Sequence, residues 1–455
     1  MVTTAITVAE PRVAPGPRGL PLIGSLLDAW QNPLEMMARG AREHGDVCRF
    51  RFAWVDYYLL TDPAAAHRVL VENAKAYNKS PNYRGLKVML GQGLLTSEGE
   101  FWRRQRRLAQ PAFHREKIAS FIETMAVCTN DMLDRWSATP DGSTLDVHAE
   151  MMRLTLRIVG KTLLSADLEA DAKQFGEALN VAIRWANDYV DSIVRVPPSV
   201  PTPSNLRFRR AQRVIERVVL RVVEERRTSG EDKGDLLSMF MNARDDATGE
   251  RMSDRQLMDE LLTLTLAGHE TTANALSFTF DLLSRYPDVA RRLRAEASAV
   301  LGGRAPRLDD LPRMPYTRAV VEESLRLYPP AWVFERVALE EDEVAGYRIP
   351  RGAIVAVSPY TMHRKPTIWQ NPEGFDPNRF LEPDPSRPKL AYIPFGAGPR
   401  TCIGNAFALT EMQVILPLIM ARASLELPPG AELDLEPSIT LRPRAGLPMT
   451  LRSVT

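Results

Sequence analysis

Apolar residues recur along the chain with two different periods, which divide it into a long helical middle and shorter regions of strands. Between about residues 100 and 330 the period is three to four residues, as in helices that bury one face. Breakers such as Pro140-Asp141-Gly142 and Pro197-Pro198-Ser199 separate these helices. Residues 187–205 show no such period and predict a long connection, a kind of loop that often serves as a lid.

Strand-like alternation appears on both sides of the helical middle. Val47 to Phe52 alternate apolar and polar residues, as a half-buried strand does, and Tyr57 to Leu60 would be its hairpin partner. Residues 346–350 and 353–357 predict further short strands. The β-rich parts are expected at about residues 45–62, 330–360 and 423–455, and the helical parts at about 63–330 and 403–422.

Several helices have clear boundaries in the sequence. Pro33 to Glu43 predicts a short helix, and Ser253-Asp254 is a favourable start for a long apolar helix that ends near Leu283. Together the predicted elements favour one mainly α fold with a smaller β region over residues 21–455. A flexible, Pro-rich lead-in is expected at residues 1–20.

Composition narrows the class of protein. Hydrophobic residues make up 44% of the 455 residues and charged residues 25%, which is typical of a globular protein with a sizeable core. The net charge of +1 gives no global field that would favour nucleic acid. Three widely spaced cysteines without a CxxC motif argue against a disulfide framework or a zinc site, and Cys48 and Cys128 are expected to be buried and free. The N-terminus lacks an apolar run typical of a signal peptide or membrane anchor, so we expect a soluble, cytoplasmic protein. We also expect it to be a monomer.

The strongest chemical signal is a cysteine in a glycine-rich loop that runs from Phe395 to Gly404. Two glycines and a proline before Cys402 predict a tight turn whose backbone can approach a flat ligand closely. Amide groups at the start of the following helix, with the nearby cation of Arg400, favour the thiolate form of Cys402. Gly404 removes a side chain where the helix would press on a ligand. A single thiolate without a second soft ligand nearby suits haem iron.

A second signal lies within the long apolar helix, where Ala267, Gly268, His269, Glu270 and Thr271 follow one another. A threonine in a helix can donate to the carbonyl one turn earlier, which bends or opens the helix. Ala267 and Gly268 leave room for a flat cofactor and a diatomic molecule, while Glu270 and Thr271 offer groups for proton transfer. The simpler interpretation is a threonine bonded to backbone and a glutamate on a solvated face. His269 is expected to pack in the core.

Taken together, the Phe-Gly-Arg-Cys-Gly loop and the acid–threonine pair upstream of it resemble the signature of the cytochrome P450 family. The match at the cysteine loop is complete, and the resemblance extends over nearly the entire chain. It implies the cytochrome P450 fold, with haem b lying between the long helix and the cysteine loop. It also implies that Cys402 ligates the iron, that Phe395 tunes its sulfur, and that Arg400 pairs with a haem propionate. Thr271 and Glu270 would then manage the protons of oxygen reduction.

Further motifs of the family assign other residues. Trp102 and Arg106, four residues apart on one helical face, would donate to a haem propionate. Arg336 would also clamp a propionate. A structural rather than catalytic network is expected from Glu323, Arg326 and Arg379. Residues assigned to the haem surface are Ala267, Gly268 and Gly404. Residues assigned to substrate contact are Ala331, Val333, Phe334, Ala267, Thr271 and Thr440.

Basic residues beside Trp102 leave two interpretations open. Arg103, Arg104 and Arg107 form either a solvated basic face or a docking surface for an acidic electron-transfer protein, because charge complementarity speeds encounter. No flavin or iron–sulfur segment is recognisable in the chain. The resemblance therefore implies electrons from a separate ferredoxin, or a flavodoxin, and an NAD(P)H-dependent reductase.

The implied activity is that of a monooxygenase that inserts one atom of O2 into a medium or large hydrophobic substrate, by hydroxylation or epoxidation. A haem-based sensor would need no proton relay, so the Glu270-Thr271 pair argues against it. A peroxide-driven enzyme of the family would replace this pair with residues that bind a substrate carboxylate. Fatty acids, terpenoids or steroids, and polyketides all remain open as substrates. Arg84 would suit a carboxylate, although a solvated loop arginine is the simpler interpretation.

Overall fold

The computed structural model describes residues 12–165, 169–192, 196–245 and 249–454. These residues divide into two compact units. The first unit contains the described residues up to Pro81, together with Trp332–Pro372 and Pro385–Thr401. The second unit contains those of Asn82–Ala331, Glu373–Asp384 and Cys402–Thr455.

The described helices and strands are numbered in chain order. The helices are α1 (Leu26–Gln31), α2 (Pro33–His44), α3 (Pro63–His67), α4 (Arg84–Leu90), α5 (Gly99–Ala109), α6 (Arg115–Ala119), α7 (Ile122–Ser137), α8 (Val147–Leu164), α9 (Glu169–Asp191), α10 (Pro203–Ser229), α11 (Leu236–Asn242), α12 (Asp254–Arg285), α13 (Pro287–Leu301), α14 (Pro315–Leu327), α15 (Pro359–Met362) and α16 (Asn405–Arg422). The strands are β1 (Val47–Phe52), β2 (Val55–Leu60), β3 (Tyr77–Lys79), β4 (Thr144–Asp146), β5 (Phe334–Ala338), β6 (Asp342–Val344), β7 (Tyr347–Ile349), β8 (Ile354–Val357), β9 (Ala423–Glu426), β10 (Leu435–Pro437), β11 (Leu441–Pro443) and β12 (Pro448–Ser453). The predicted class, mainly α with a smaller β region, is confirmed.

A sheet in the order β1-β2-β8-β5-β3 organises the first unit. The predicted β1–β2 hairpin is present, with Val47 paired to Leu60, and β2 continues in parallel with β8. Apolar side chains of these strands, including Tyr58 and Val355, form a core with the segment around Val69. This packing supports both β5, which carries Arg336, and the cysteine loop.

Part of the expected lead-in belongs to this sheet region. Residues 1–11 lie outside the described part of the chain, whereas Arg12 donates its amide to Gly346 over 3.1 Å. The amide of Arg49 on β1 donates to Pro15 over 2.8 Å. A Cβ atom on Gly16 would lie 1.8 Å from the carbonyl oxygen of Arg49, so the chain passes close against the strand there.

Helices dominate the second unit, and α12 runs through its centre. This 32-residue helix packs against α8, α14 and α16, and most of its side chains are buried. Its start was predictable because Ser253 and Gln256 form a reciprocal capping box. Two small sheets, β4-β12-β9 and β10-β11, complete the unit.

The predicted connection at residues 187–205 is shorter than expected, because α9 continues to Asp191. Tertiary contacts accompany the extra helical turn: the Trp185 ring stacks on Phe208 of α10, and its indole N–H donates to Asn205 over 2.8 Å. Such long-range packing overrides the weak local pattern. Among the described residues, no helix has both the length and the apolar character to cross a membrane.

Candidate active site

Two glycines shape the part of the cysteine loop that belongs to the first unit. Gly396 and Gly398 have φ values of 72° and 69°, a region that favours glycine. A Cβ atom on Gly398 would lie 1.9 Å from the carbonyl oxygen of Leu70, and one on Gly396 would lie 3.5 Å from the Phe334 ring. The loop therefore depends on glycine at position 398 for close backbone packing as well as for its conformation.

Three site residues predicted from the sequence also lie in this unit, and all are half-buried. Phe395 precedes Gly396, and Arg400 ends a single 3-10 turn that begins at Gly398. Arg336 lies on β5, and its guanidinium donates to the backbone oxygen of Glu335 over 2.9 Å.

Cys402 begins the next part of the second unit and is exposed, whereas Cys48 and Cys128 are buried as predicted. The protein around the Cys402 sulfur raises the pKa of the thiol by desolvation. Two features oppose this effect and favour the thiolate: the amide of Gly404 bonds to the sulfur, and the charge of Arg106 acts on it. Helix α16 begins at Asn405, two residues later than predicted, with Gly404 at its N-cap.

Trp102 and Arg106 share one face of α5 in the same unit. Trp102 is buried and Arg106 is half-buried. Burial lowers the pKa of Arg106, while the charge of a Cys402 thiolate raises it. The arrangement places a cation where it stabilises negative charge on the cysteine sulfur.

A short stretch of α12 is uncovered although most of the helix is buried. Ala267 is exposed, and Gly268 and Thr271 are half-exposed. Gly268 and Thr271 lie one and four residues after Ala267, so the three residues form one small face of the helix. The Thr271 hydroxyl donates to the Ala267 carbonyl over 2.6 Å, which is the backbone bond expected for a threonine in a helix. This face is smooth because two of its three residues have little or no side chain.

The neighbours of Thr271 point into the protein instead. Glu270 is buried, and its Oε1 accepts a hydrogen bond from the Thr440 hydroxyl over 2.7 Å. Burial raises the pKa of Glu270, and the hydrogen bond from Thr440 lowers it. His269 is buried, and its backbone oxygen accepts from Thr155 of α8 over 3.0 Å. The expectation that His269 packs in the core is confirmed.

Comparisons with known proteins identify this arrangement. The family described as Cytochrome P450 matches residues 14–447. The chain belongs to the cytochrome P450 family. It is 38% identical to cyclooctatin synthase of Streptomyces melanosporofaciens, over 94% of this chain and 93% of that protein. It is 36% identical to cyclooctat-9-en-7-ol 5-monooxygenase of the same species, over 95% and 94%. Pentalenene oxygenase of Streptomyces avermitilis is 32% identical, over 91% and 92%.

The protein is accordingly a haem-thiolate monooxygenase, and members of this family bind haem b through a cysteine thiolate. The residues of the second unit fit that group. An exposed cysteine receives an amide hydrogen bond and the charge of Arg106, as an axial thiolate requires. The uncovered Ala267-Gly268 face offers the flat, small-residue surface that a planar macrocycle needs.

A buried ion cluster in this cytochrome P450 joins three charged residues named from the sequence. Arg326 donates to both carboxylate oxygens of Glu323, over 2.7 and 2.8 Å, and Arg379 donates to Glu323 over 3.2 Å. The Asp376 amide supplies a further bond to the carboxylate over 2.9 Å. The Glu323 and Arg326 side chains have no exposed surface. Four hydrogen bonds to the Glu323 carboxylate therefore take the place of its contacts with water.

The basic face of α5 is partly neutralised. Arg107 donates to buried Asp245 over 3.0 Å, and Arg104 lies 3.8 Å from the same carboxylate. Arg103 is exposed and pairs with Glu100. All three arginines predicted to form a positive patch therefore have intramolecular partners, and the partner of Arg104 and Arg107 is a buried carboxylate. Arg115, at the start of α6, adds an exposed cation nearby in sequence.

Sequence reasoning missed two side chains that reach Glu270 through hydrogen bonds. Asn274 lies one helical turn beyond Glu270 and donates to Thr440 over 3.3 Å, and His148 of α8 bonds to Asn274 over 2.9 Å. Helical spacing would have suggested Asn274. His148 gave no local signal because it is 126 residues away from its partner.

Proposed function

We propose that Cys402 is the axial ligand of haem b. The observation that carries this assignment is an exposed cysteine whose sulfur receives the Gly404 amide and the Arg106 charge, within a loop that matches the family signature. Bound haem b supplies the iron at which O2 is reduced and one oxygen atom passes to substrate. Cys48 and Cys128, by contrast, are buried.

The reduced protein under carbon monoxide tests this ligand. The wild-type protein should show the strongly red-shifted Soret band of a thiolate-ligated haem, and Cys402→Ala should abolish it. Cys48→Ala and Cys128→Ala are matched controls that should retain the band. Loss of the band in either control, or its survival in Cys402→Ala, would contradict the assignment.

We assign the remaining haem contacts residue by residue. Trp102 and Arg106 donate to a propionate, which is supported by their shared face on α5. Arg400 and Arg336 bind propionates, and Phe395 lies by the sulfur; these roles rest on their positions in the family's motifs. The residues that let the macrocycle approach closely are Ala267, Gly268 and Gly404.

Thr271 and Glu270 carry protons in the proposed reaction. The Thr271 hydroxyl uses its only hydrogen on the Ala267 carbonyl, so its oxygen remains able to accept a proton, and rotation of the side chain redirects its donor. Glu270 is held by Thr440 and kept from full solvation. Burial outweighs this hydrogen bond and raises the pKa of Glu270 above its ordinary value, which is the direction that favours proton donation by a carboxyl group.

The substrate that we propose is a cyclic terpenoid hydrocarbon or alcohol. Support comes from the names of two relatives, an oxygenase of pentalenene and a monooxygenase of cyclooctat-9-en-7-ol. Contacts to it are assigned to Ala331, Val333, Phe334, Ala267, Thr271 and Thr440. Since the Thr440 hydroxyl donates to Glu270, its contribution is the methyl group.

Spectral titration can test the substrate class. Cyclic terpenoid alcohols should displace water from the haem and shift the Soret band at micromolar concentration, whereas fatty acids of equal carbon number should not. Tighter binding of fatty acids would contradict the proposed class without affecting the haem assignment.

We further propose that electrons come from a separate ferredoxin, or a flavodoxin, and an NAD(P)H-dependent reductase. The exposed arginines Arg103 and Arg115 support an acidic partner. A cytoplasmic location is also proposed, because the three cysteines are free and a reducing compartment preserves thiols.

A further inference from the structure

Four polar side chains of the second unit form a continuous hydrogen-bonded chain that ends at Glu270. His148 Nε2 lies 2.9 Å from Asn274 Oδ1, Asn274 Nδ2 lies 3.3 Å from Thr440 Oγ1, and Thr440 Oγ1 lies 2.7 Å from Glu270 Oε1. Asn274 has no exposed surface, Thr440 and Glu270 are buried, and His148 is half-exposed. The chain thus connects a half-exposed imidazole to a buried carboxyl group.

The direction of every bond in this chain follows from the chemistry of its members. The amide nitrogen of Asn274 can only donate, so Thr440 accepts from it and gives its one hydroxyl hydrogen to Glu270. The amide oxygen of Asn274 can only accept, so His148 must carry a hydrogen on Nε2. All three donors therefore point toward the carboxylate.

This polarity suits an ionised Glu270. A protonated carboxyl group that donated to Thr440 would leave the threonine with two donors and force its own hydrogen elsewhere. Burial is nevertheless the largest effect and raises the pKa of Glu270 above its ordinary value, and the Thr440 bond is the first of the effects that oppose it. The charge of Arg442 also lowers this pKa, and Glu436 raises it. Arg442 and Glu436 are paired over 2.9 Å on β11 and β10, so their opposite charges largely cancel.

His148 is the member of the chain that can become a cation, below a pKa that is lowered from its ordinary value of 6.5. Burial lowers its pKa, whereas the bond to Asn274 and the charge of Asp146 raise it, and Arg442 lowers it. Asp146 accepts the amides of Ala149 and Leu447 at the start of α8, which fixes its position. Protonation strengthens an imidazole as a donor, and hydrogen bonds in series polarise one another.

We propose that His148, Asn274 and Thr440 are positioning residues for Glu270, and that they transmit the charge state of His148 to its carboxyl group. The inference rests on the proton-transfer role proposed above for Glu270. A cation at His148 favours ionised Glu270, and loss of that cation weakens the preference. Thr440 thereby acts on the proton supply through its hydroxyl group.

The principal alternative is a purely structural network that ties the β10–β11 turn to α12. Variants at His148 separate the two. His148→Gln retains an N–H donor and cannot gain a proton, whereas His148→Phe has no donor. Thr440→Val removes the hydroxyl group, and Thr440→Ser restores it as a rescue.

The first measurement is coupling, the product formed per NAD(P)H consumed, from about pH 5 to 8. Thr440→Val and His148→Phe should lower coupling by about tenfold, because each removes a donor from the chain that ends at a charged group. Thr440→Ser should restore most of it. His148→Gln should couple normally at neutral pH and lose the part of the pH dependence that His148 supplies.

A second measurement is independent of turnover. The chain has six histidines, so imidazole nitrogen NMR of the diamagnetic ferrous carbon monoxide form is tractable, with His148→Gln giving the assignment. Glu270→Gln should move the His148 titration to lower pH, since coupling between two sites is reciprocal. The signal of half-exposed His67, which is paired with Glu72, is the internal control and should be the same in both proteins.

The outcomes distinguish this inference from the role of Glu270. If Glu270→Gln uncouples the enzyme while Thr440→Val and His148→Phe do not, the positioning proposal is overturned and the role of Glu270 stands. If Glu270→Gln itself couples normally, the proton-transfer role of Glu270 is contradicted, and with it the positioning proposal that rests on that role. An unchanged His148 titration in Glu270→Gln would show that the hydrogen-bonded chain does not couple the charge of His148 to that of Glu270, whatever the activity of the variant.

Discussion

Glu260 of α12 accepts a hydrogen bond over 3.1 Å from the Gln105 side chain of α5, and neither residue has exposed surface. The other carboxylate oxygen accepts the amide of Leu94 over 3.0 Å. One buried acid thus connects the long helix to the helix of Trp102 and Arg106 and to the loop before it. Burial raises the pKa of Glu260 from 4.5 to about 7, despite these two donors.

This raised pKa predicts a stability that falls as the pH rises. Between its unfolded value of 4.5 and about 7, Glu260 is protonated in the folded protein and ionised in the unfolded one. The folded state then binds more protons than the unfolded state. Up to about 3 kcal/mol of stability is therefore lost as the pH rises across that window, and the stability is constant above it. Glu260→Gln should remove this slope.

Urea unfolding of the holoenzyme at about pH 5 and pH 8 measures the effect. The difference between the two pH values is compared within each protein, so any packing change in Glu260→Gln cancels. Glu341→Gln, at an exposed ion pair with Arg348, serves as control and should keep the wild-type slope. Parallel pH dependence of Glu260→Gln and wild type would contradict the prediction.

Replacement of Thr271 should affect coupling more than haem binding. We expect Thr271→Ala to consume NAD(P)H at a comparable rate and to form product at least about tenfold less efficiently, since proton delivery by a positioned group contributes on that order or more. The difference should appear as peroxide or water. Thr265→Val is the matched control in the same helix, because the Thr265 hydroxyl is buried without a hydrogen-bond partner among the described residues. Equal coupling in Thr271→Ala and Thr265→Val would exclude Thr271 from the relay.

The Glu323 cluster should govern stability without altering the chemistry. Glu323→Gln leaves Arg326 and Arg379 with an uncompensated buried charge, which costs about 3–5 kcal/mol. The same change at exposed Glu341 should cost about 0–1 kcal/mol. Unfolding midpoints and haem retention after dilution give the comparison. A folded Glu323→Gln protein of wild-type stability would show that the cluster contributes no net stability.

The redox partner should respond to Arg103 and Arg115 rather than to Arg107. Reversal of charge at Arg107 would place a second carboxylate beside buried Asp245 and disturb the fold, so its effect would be ambiguous. Arg103→Glu with Arg115→Glu should raise the apparent KM for an acidic ferredoxin severalfold at low salt, with a smaller effect at high salt.

Arg291→Glu is the matched control for this surface. Like Arg103, Arg291 is exposed and pairs with an acid three residues earlier, in this case Asp288. Its reversal should leave the apparent KM unchanged. An equal effect of both changes, or an effect on substrate affinity alone, would rule out docking at Arg103 and Arg115.

Much of the fold could be predicted from the sequence because it depends on local patterns. The start of α12 follows from the Ser253 cap, and its end from Tyr286-Pro287, so both boundaries fell within two residues of prediction. The spacing of Glu323 and Arg326 likewise shows in the sequence as one helical face. The cysteine loop was readable for the same reason, since its glycines and proline dictate a turn.

Contacts between residues far apart in the sequence could not be predicted. The Arg107–Asp245 pair spans 138 residues and the Thr440–Glu270 bond spans 170, so neither leaves a periodic trace. Each also changes the interpretation of a predicted residue: Arg107 binds within the protein, and Thr440 gives its hydroxyl to an acid. The sequence therefore identified these residues as candidates, but only the tertiary structure shows which partners their side chains bind.

The glycine at position 398 has a consequence for how this enzyme can be diversified. The site of its missing side chain coincides with the Leu70 carbonyl, so every replacement must displace the backbone of a neighbouring segment. Replacements there are therefore expected to destabilise the fold, so a mutant library gains little from randomising this position. Variation near the sulfur must instead come from positions with room, such as exposed Pro399.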